Sequence, residues 1–421
     1  SVMDDMRPEN KYLHLMDEQE AITKAQALLN RQGDANVSPL AVYRHAAKAD
    51  SVQQRRPNVV LIMMESMSSK LMKHFGQSET LTPFLDSLYT RSISFRNFYS
   101  AGIHTNHGLY ATLYSFPAMM KRNLMKGSVI PRYSGLPTVL KENGYYNFFF
   151  MTHEGQYDNM NAFFRTNGYD EVFSQEDYPA DKVVNSFGVQ DDFLYDYAIP
   201  VLNQRAATGQ PFFATLLSIS NHPPYVIPPF FHPKTSEPEM QIVEYADWAL
   251  RQFFEEARKQ PWFDNTIFVL EGDHGKLVGD AECELPESYN HIPLMIYSNR
   301  IQPEEKTAFG GQVDIQPTIL GLLNIDYLQN NFGVDLLKEE RPCMFYTADN
   351  MVVGRNDTLL YLYNYETQQE LTYDIGNGKL NAVPMDDSFL PLKEYSFSML
   401  QSAEFLVKHG KTLNSIPFTQ Q

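Results

Sequence analysis

The run Val59-Val60-Leu61-Ile62-Met63-Met64 constrains this chain more than any other stretch. It follows Pro57-Asn58 and stops on a carboxylate, Glu65, with Ser66, Ser68 and Ser69 just beyond. The run has no polar alternation and falls far short of the about 20 residues that cross a bilayer. It reads as a strand buried on both faces, the kind found at the centre of a parallel sheet. Ligands in open α/β sheets sit just outside the carboxyl ends of the strands. Glu65 therefore stands where a catalytic or metal-binding acid belongs. A carboxylate beside Ser66 would equally favour the N-terminus of a following helix.

From Pro57 to Asp326, strand-like and helical runs alternate. Helical patterns begin after the candidate cap Thr82, over residues 136–143 before Gly144, and over 244–259. Strand patterns cover residues 94–99, 145–151, 211–219 and 265–270. This alternation predicts an α/β fold, a central mostly parallel sheet between helices. Residues 1–56 read as a helical arm or linker, rich in helix formers over 21–29 and restarting as a helix at Ser38-Pro39 through Leu40, Val42 and Tyr43. Beyond Arg341 the pattern changes to a hairpin, 358–365 with 369–374, and then a helix over 394–409. Three parts are expected: an arm 1–56, a catalytic domain 57–345, and a small C-terminal antiparallel subdomain 346–421.

Charge narrows the partners. Lys and Arg number 34 against 51 Asp and Glu, a formal charge of −17. So acidic a chain has no electrostatic footprint for nucleic acid and is repelled on average by an anionic surface. Its two cysteines, Cys283 and Cys343, lack metal-ligand spacing. The opening Ser1-Val2-Met3-Asp4-Asp5 is unlike a signal peptide. A first residue other than Met suggests a trimmed or processed chain, with a membrane segment expected upstream.

Three further strand or loop ends carry polar residues. Gly102-Ile103-His104-Thr105-Asn106-His107-Gly108 leads into a helical run. Thr105 there is either a simple N-cap or part of an anion site at a helix N-terminus. Glu271-Gly272-Asp273-His274-Gly275 follows an apolar strand, and adjacent Asp and His suit zinc or manganese unless the string is only a polar turn. Ser220-Asn221-His222-Pro223 ends another strand, with His222 a substrate donor or a surface histidine.

Taken in order, Glu65, Thr105, His222 and Asp273-His274-Gly275 resemble the sulfatase-like branch of the alkaline phosphatase superfamily, most of all the lipoteichoic acid synthase family of phosphoglycerol transferases. Residues 57–60, 261–266, 291–293, 313–320 and the hairpin string 362–367 agree. The resemblance implies an alkaline phosphatase-like sandwich and one divalent ion, manganese first with magnesium or zinc as alternatives. Its ligands would be Glu65, Thr105, Asp273 and His274. It implies Thr105 as nucleophile and His222 at the substrate's phosphate or glycerol end. His153, His291, Tyr157 and Asn106 are further candidates for substrate binding, and His104 and His107 are candidates to bind the head group or shuttle protons. The family is tethered to the cytoplasmic membrane with its catalytic domain outside the cell or in the periplasm. A phospholipid head group as donor and a glycan or polymer as acceptor are the implied partners.

Departures matter. Gram-positive synthases carry a Trp and an Arg soon after a site histidine, whereas His153 is followed by Glu154-Gly155-Gln156-Tyr157-Asp158-Asn159-Met160. Tyr157 stands in for the aromatic residue, and the first arginine is Arg165 on the next helix. True sulfatases show Cys or Ser followed by x-Pro-x-Arg, which Thr105-Asn106-His107-Gly108 lacks. A phosphoethanolamine transferase would bring more cysteines. A phosphodiesterase or hydrolase with a second metal would draw on acids such as Asp280 and Glu282. A non-catalytic scaffold has no need of all four metal-site residues.

Overall fold

The structure, a computed structural model, describes residues 12–29, 42–46, 48–49 and 56–414. Helix α1 (Glu18–Leu29) and strand β1 (Tyr43–Ala46) precede the main body. The apolar run is β2 (Asn58–Met64), buried along its whole length. Val59, Leu61 and Met63 enter one hydrophobic core and Val60, Ile62 and Met64 the other, so alternate side chains serve opposite faces of the sheet. Then follow α2 (Pro83–Tyr89), β3 (Ile93–Tyr99), α3 (Thr105–Tyr114), α4 (Leu136–Glu142), β4 (Tyr146–Phe150), α5 (Met160–Thr166) and β5 (Glu171–Phe173). The body closes with α6 (Asp191–Ala206), β6 (Phe212–Leu217), α7 (Pro238–Ala257), β7 (Thr266–Gly272), β8 (Leu294–Tyr297), β9 (Glu304–Gly311) and α8 (Ile315–Leu322).

Strands β2 to β9 form one sheet in the order β5-β4-β6-β2-β7-β8-β3-β9. Only β8 runs against its neighbours; the other pairings are parallel. Helices α2, α6 and α7 cover one face, and α3, α4, α5 and α8 the other. The mostly parallel sheet between helices is the one the alternation predicts. Helix α7 starts earlier than the periodicity suggests, at Pro238, where proline suits a first turn.

Strand β10 (Tyr327–Asn330) pairs with β1, Tyr43 opposite Asn330. This corrects the helix expected to run through Val42 and Tyr43; Ser38, Pro39 and Leu40 lie outside the described residues. Pairing with β10 satisfies the backbone of Tyr43–Ala46, and Val42 and Tyr43 bury in the main core, which overrides a weak helix propensity.

The C-terminal part is a five-stranded antiparallel sheet of β11 (Met344–Ala348), β12 (Met351–Arg355), β13 (Leu359–Asn364), β14 (Glu370–Asp374) and β15 (Asn381–Ala382). The hairpin expected at 358–374 is β13–β14. Helix α9 (Leu390–Lys408) closes the chain and also receives the arm. Leu15 N–H donates to Gln401 Oε1 at 2.6 Å, and Lys24 lies 2.9 Å from Glu394. Among the described residues no helix is long and apolar enough to cross a membrane.

Arg341 joins the two halves. Its guanidinium is enclosed and grips Asp314, with Nη2–Oδ1 2.6 Å and Nε–Oδ2 3.0 Å, while Nη1 donates to the Tyr395 hydroxyl of α9 at 2.6 Å. Removing one partner of such a pair leaves the other charge buried and alone. Arg341→Ala is therefore expected to cost roughly 3–5 kcal/mol. The readout is a lower urea midpoint with an unchanged slope; a midpoint equal to wild type would refute this role.

Candidate active site

The site is built where β2 and β7 end side by side, Met64 opposite Gly272. The next residues are Glu65 and Asp273, both buried. Asp273 N–H donates to the Met64 carbonyl at 3.0 Å, which carries the pairing one residue further. Ser66 turns through a left-handed conformation, φ 50°. In that turn its N–H reaches Asp273 Oδ1 at 2.9 Å and its hydroxyl donates to Glu65 Oε1 at 2.7 Å. His274 N–H adds a second donor to Asp273 Oδ1 at 2.7 Å. The Gln312 amide holds the strand end from behind, donating to the Gly272 and Asp273 carbonyls at 3.1 and 2.7 Å.

Helix α3 delivers Thr105. Its Gly108 packs so closely on this strand end that a Cβ would lie 2.2 Å from the Asp273 carbonyl. One turn earlier, Thr105 faces the carboxylates. His104 holds the cap position, so Thr105 is not the cap. Thr105 Oγ1 donates to Asp273 Oδ2 at 2.8 Å and lies 3.4 Å from Glu65 Oε2. His274 Nδ1 is 2.7 Å from the Gly275 carbonyl, which can only accept, so Nδ1 carries the proton. Its Nε2 faces Glu65 Oε1 at 3.6 Å and Asp273 Oδ2 at 3.5 Å.

One ligand atom each from Glu65, Asp273 and His274 lie within 4.8 Å of one another. Two carboxylates in so small a buried space repel: burial, then the Asp273 charge, push the Glu65 carboxyl well above the usual range. A divalent cation relieves that repulsion. Two carboxylates, one imidazole and a hydroxyl suit manganese, magnesium or zinc. The bond from His274 Nδ1 to a carbonyl is the support that metal-binding histidines use to aim the other nitrogen. The residues present therefore fit a metal ion.

The other candidates divide. Asn106 follows Thr105 in the first turn of α3, its Oδ1 buried and without a hydrogen-bond partner among the described residues. Tyr157, 45% exposed, packs on His153 with ring centres 4.7 Å apart, and the Glu65 charge reaches it. His153 is buried, and burial lowers its pKa below the usual value. His222 sits next to Asn221, with Nδ1 2.6 Å from the Pro223 carbonyl and its ring on Phe187. Among the described residues no hydrogen bond or ion pair joins His222 to Glu65, Thr105, Asp273 or His274. His291 is engaged in structure: Nε2 donates to the Arg96 carbonyl at 2.7 Å, and the ring packs on Tyr99 and Phe75. His104 pairs with Asp349 at 2.7 Å. His107 is enclosed on α3, and burial depresses it to about 3, so it is neutral.

Asn221 and Lys276 are neighbours of the site that motif reading passes over. Asn221 is buried and donates to the Ser66 carbonyl at 3.2 Å. Lys276 Nζ donates to Asn221 Oδ1 at 2.7 Å and lies 5.3 Å from the centre of the Tyr225 ring. Burial pulls Lys276 down to about 8, against the pull of Glu239 and Glu65. Its place two residues after His274, in the same turn, was the available signal.

The Sulfatase family profile matches residues 57–325. The chain belongs to the sulfatase family. Lipoteichoic acid synthase 1 of Bacillus subtilis (strain 168) is 25% identical over 350 residues, 76% of this chain and 53% of that protein. The lipoteichoic acid synthase of Staphylococcus saprophyticus is also 25% identical, over 74% of this chain and 51% of its own length. The chain thus spans about half the length of the curated relatives it matches. Among solved structures, a protein in the alkaline phosphatase superfamily from Vibrio parahaemolyticus superposes with a TM-score of 0.85 at 26% identity, over 97% of this chain and 100% of that one. The lipoteichoic acid synthase LtaP from Listeria monocytogenes has a TM-score of 0.74 at 20% identity, over 93% and 98%. The sulfatase-family chain therefore has the alkaline phosphatase-like fold that its motifs imply.

Metal and proton compete for Glu65. A cation binds the ionised carboxylate, so binding displaces the proton that burial favours. Manganese affinity is expected to rise as pH rises through and above the ordinary carboxylate range, with release of protons on binding. Calorimetry in two buffers of different ionisation heat measures both. Asp273→Ala is expected to lose the metal while far-ultraviolet circular dichroism is unchanged. Full metal occupancy in that variant would exclude the site.

Proposed function

We propose that this chain transfers phosphoglycerol from a phospholipid head group to a hydroxyl acceptor, a glycan or a growing glycerol-phosphate polymer, through a covalent phosphoryl–Thr105 intermediate. One observation carries the reading: Thr105 Oγ1 stands at the start of α3, 2.8 Å from Asp273 Oδ2 and beside Glu65. Similarity to proteins named lipoteichoic acid synthases supports the choice of head group. Residues 57–345 are taken as the catalytic domain, with the arm 1–56 and the subdomain 346–421 as additions to it. The lipid donor and glycan acceptor meet at the extracytoplasmic surface of the cytoplasmic membrane, and the reaction belongs there.

Glu65, Asp273, His274 and Thr105 would hold one divalent ion, manganese before magnesium or zinc, which when bound acidifies the hydroxyl and offsets phosphoryl charge. Thr105 Oγ attacks phosphorus, and its proton leaves towards Asp273 Oδ2, its hydrogen-bond acceptor. The Oγ–P bond forms as the bond from phosphorus to the diacylglycerol oxygen breaks. That oxygen takes up a proton and diacylglycerol departs. The N–H groups in the first turn of α3 have no intrahelical acceptors and favour the phosphoryl oxygens. An acceptor hydroxyl then attacks the same phosphorus, loses its proton and returns Thr105 to the free alcohol. Water in its place gives slow hydrolysis. His222 and His153 are the first candidates to bind the head group or move a proton; His291, Tyr157 and Asn106 follow.

Thr105→Ala is expected to abolish transfer yet keep head-group binding. Thr105→Ser keeps part of the activity, because the oxygen stays and only the rotamer-restricting methyl goes. Exposure to phosphatidylglycerol, acid quench and peptide mass analysis should reveal a glycerol-phosphate adduct on the Thr105 peptide. A phosphoethanolamine adduct would select that transferase instead. Turnover surviving in Thr105→Ala, with no adduct from any donor, would reassign attack to water.

A further inference from the structure

Lys276 is half-buried, and its ammonium has only neutral partners within contact. Nζ donates to the Asn221 amide oxygen and lies near the Tyr225 ring; among the described residues no carboxylate is within ion-pair distance of it. Asn221 in turn holds the Ser66 carbonyl, and Ser66 touches both metal-site carboxylates. A chain of hydrogen bonds thus runs from the acidic cluster to a cation that has no ion-pair partner in contact among the described residues. Cations drawn out of water persist where an anion completes them. Among the described residues Glu239 and Glu65 act on Lys276 only from beyond ion-pair distance, and the substrate of the proposed reaction is a phosphate ester.

We propose that Lys276, steadied by Asn221, is a substrate-binding and specificity-determining residue: its ammonium takes a phosphate oxygen of the donor and excludes head groups that carry their own ammonium. The assignment rests on the transferase reading and extends it to donor choice. An uncharged glycerol head gains the Lys276–phosphate attraction without penalty. A phosphoethanolamine head gains the same attraction and meets a like charge close by. The cation sits two residues beyond His274, so it also supplies positive charge that the segment after His153, with no arginine before Arg165, does not.

The test titrates glycerol 1-phosphate and phosphoethanolamine separately into manganese-loaded Thr105→Ala protein and into the same protein carrying Lys276→Met or Lys276→Arg. A lost charge-assisted hydrogen bond weakens binding roughly tenfold to a hundredfold. Glycerol 1-phosphate is expected to lose that much in Lys276→Met, phosphoethanolamine clearly less, and Lys276→Arg to restore the preference. Manganese affinity, measured alongside, is expected to be unchanged, which a general disturbance of the site would not allow. Lys276→Gln serves in the same way should the Met variant not fold. Equal glycerol 1-phosphate affinity with and without the ammonium, or an unchanged preference between the two compounds, overturns the assignment alone. Failure of glycerol 1-phosphate to bind with Lys276 intact overturns the assignment and the transferase reading together.

Discussion

The parallel pairing of β2 with β7 is the constraint on which the site depends. It sets Met64 opposite Gly272, so that the next residue on each strand is a buried acid. Two carboxylates at one sheet edge, without bulk water, are unstable as a pair of anions. The surroundings answer part of that cost with short donors: the Ser66 amide and hydroxyl, the His274 amide and the Thr105 hydroxyl. None of these carries a full positive charge. A cation is what the pairing calls for, and His274 Nε2 and Thr105 Oγ1 complete a set of donors for one.

Placement of Thr105 is a packing problem rather than a capping one. Thr105 reaches Asp273 because α3 lies close on the end of β7, and α3 can lie there because residue 108 has no side chain. Gln312, just ahead of α8, fixes the same strand end and accepts the Ala101 N–H at 2.9 Å, so the loop before α3 and the loop that begins at Asp273 share one anchor. A small displacement of either would part the hydroxyl from the carboxylates.

What the sequence discloses follows from how local each signal is. Burial of β2 on both faces leaves an unbroken apolar run, and its terminal acid is conspicuous. Asp273-His274-Gly275 is legible for the same reason, as polar residues straight after an apolar strand. Strand β1 is not legible, because its partner at Tyr327–Asn330 lies far along the chain and only their meeting makes a strand of it. Whether Thr105 caps a helix or faces acids cannot be read from a helix start alone; the Asp273 carboxylate decides it. Histidine counting does not reveal that the His291 nitrogen serves the Arg96 carbonyl. It also passes over Lys276, whose meaning comes from Asn221 on a loop distant in sequence.

The C-terminal sheet belongs to this argument too. Thr347 of β11 donates its N–H to the Ala101 carbonyl at 2.9 Å, and Asp349, just past that strand, holds His104 beside Thr105. Asn290 Nδ2 donates to the Thr347 carbonyl at 3.2 Å, while Gly275 N–H donates to the Tyr289 carbonyl at 2.9 Å. The loop bearing the hydroxyl and the loop bearing Asp273 and His274 are thus braced against the same antiparallel edge. Arg355 of β12 adds a bond to Glu287 at 2.6 Å, on the segment that continues to Tyr289 and Asn290. The strand ends of the parallel sheet supply the chemical groups, and a separate sheet fixes the loops between them. Two structures that read as independent in the sequence therefore meet at one hydroxyl.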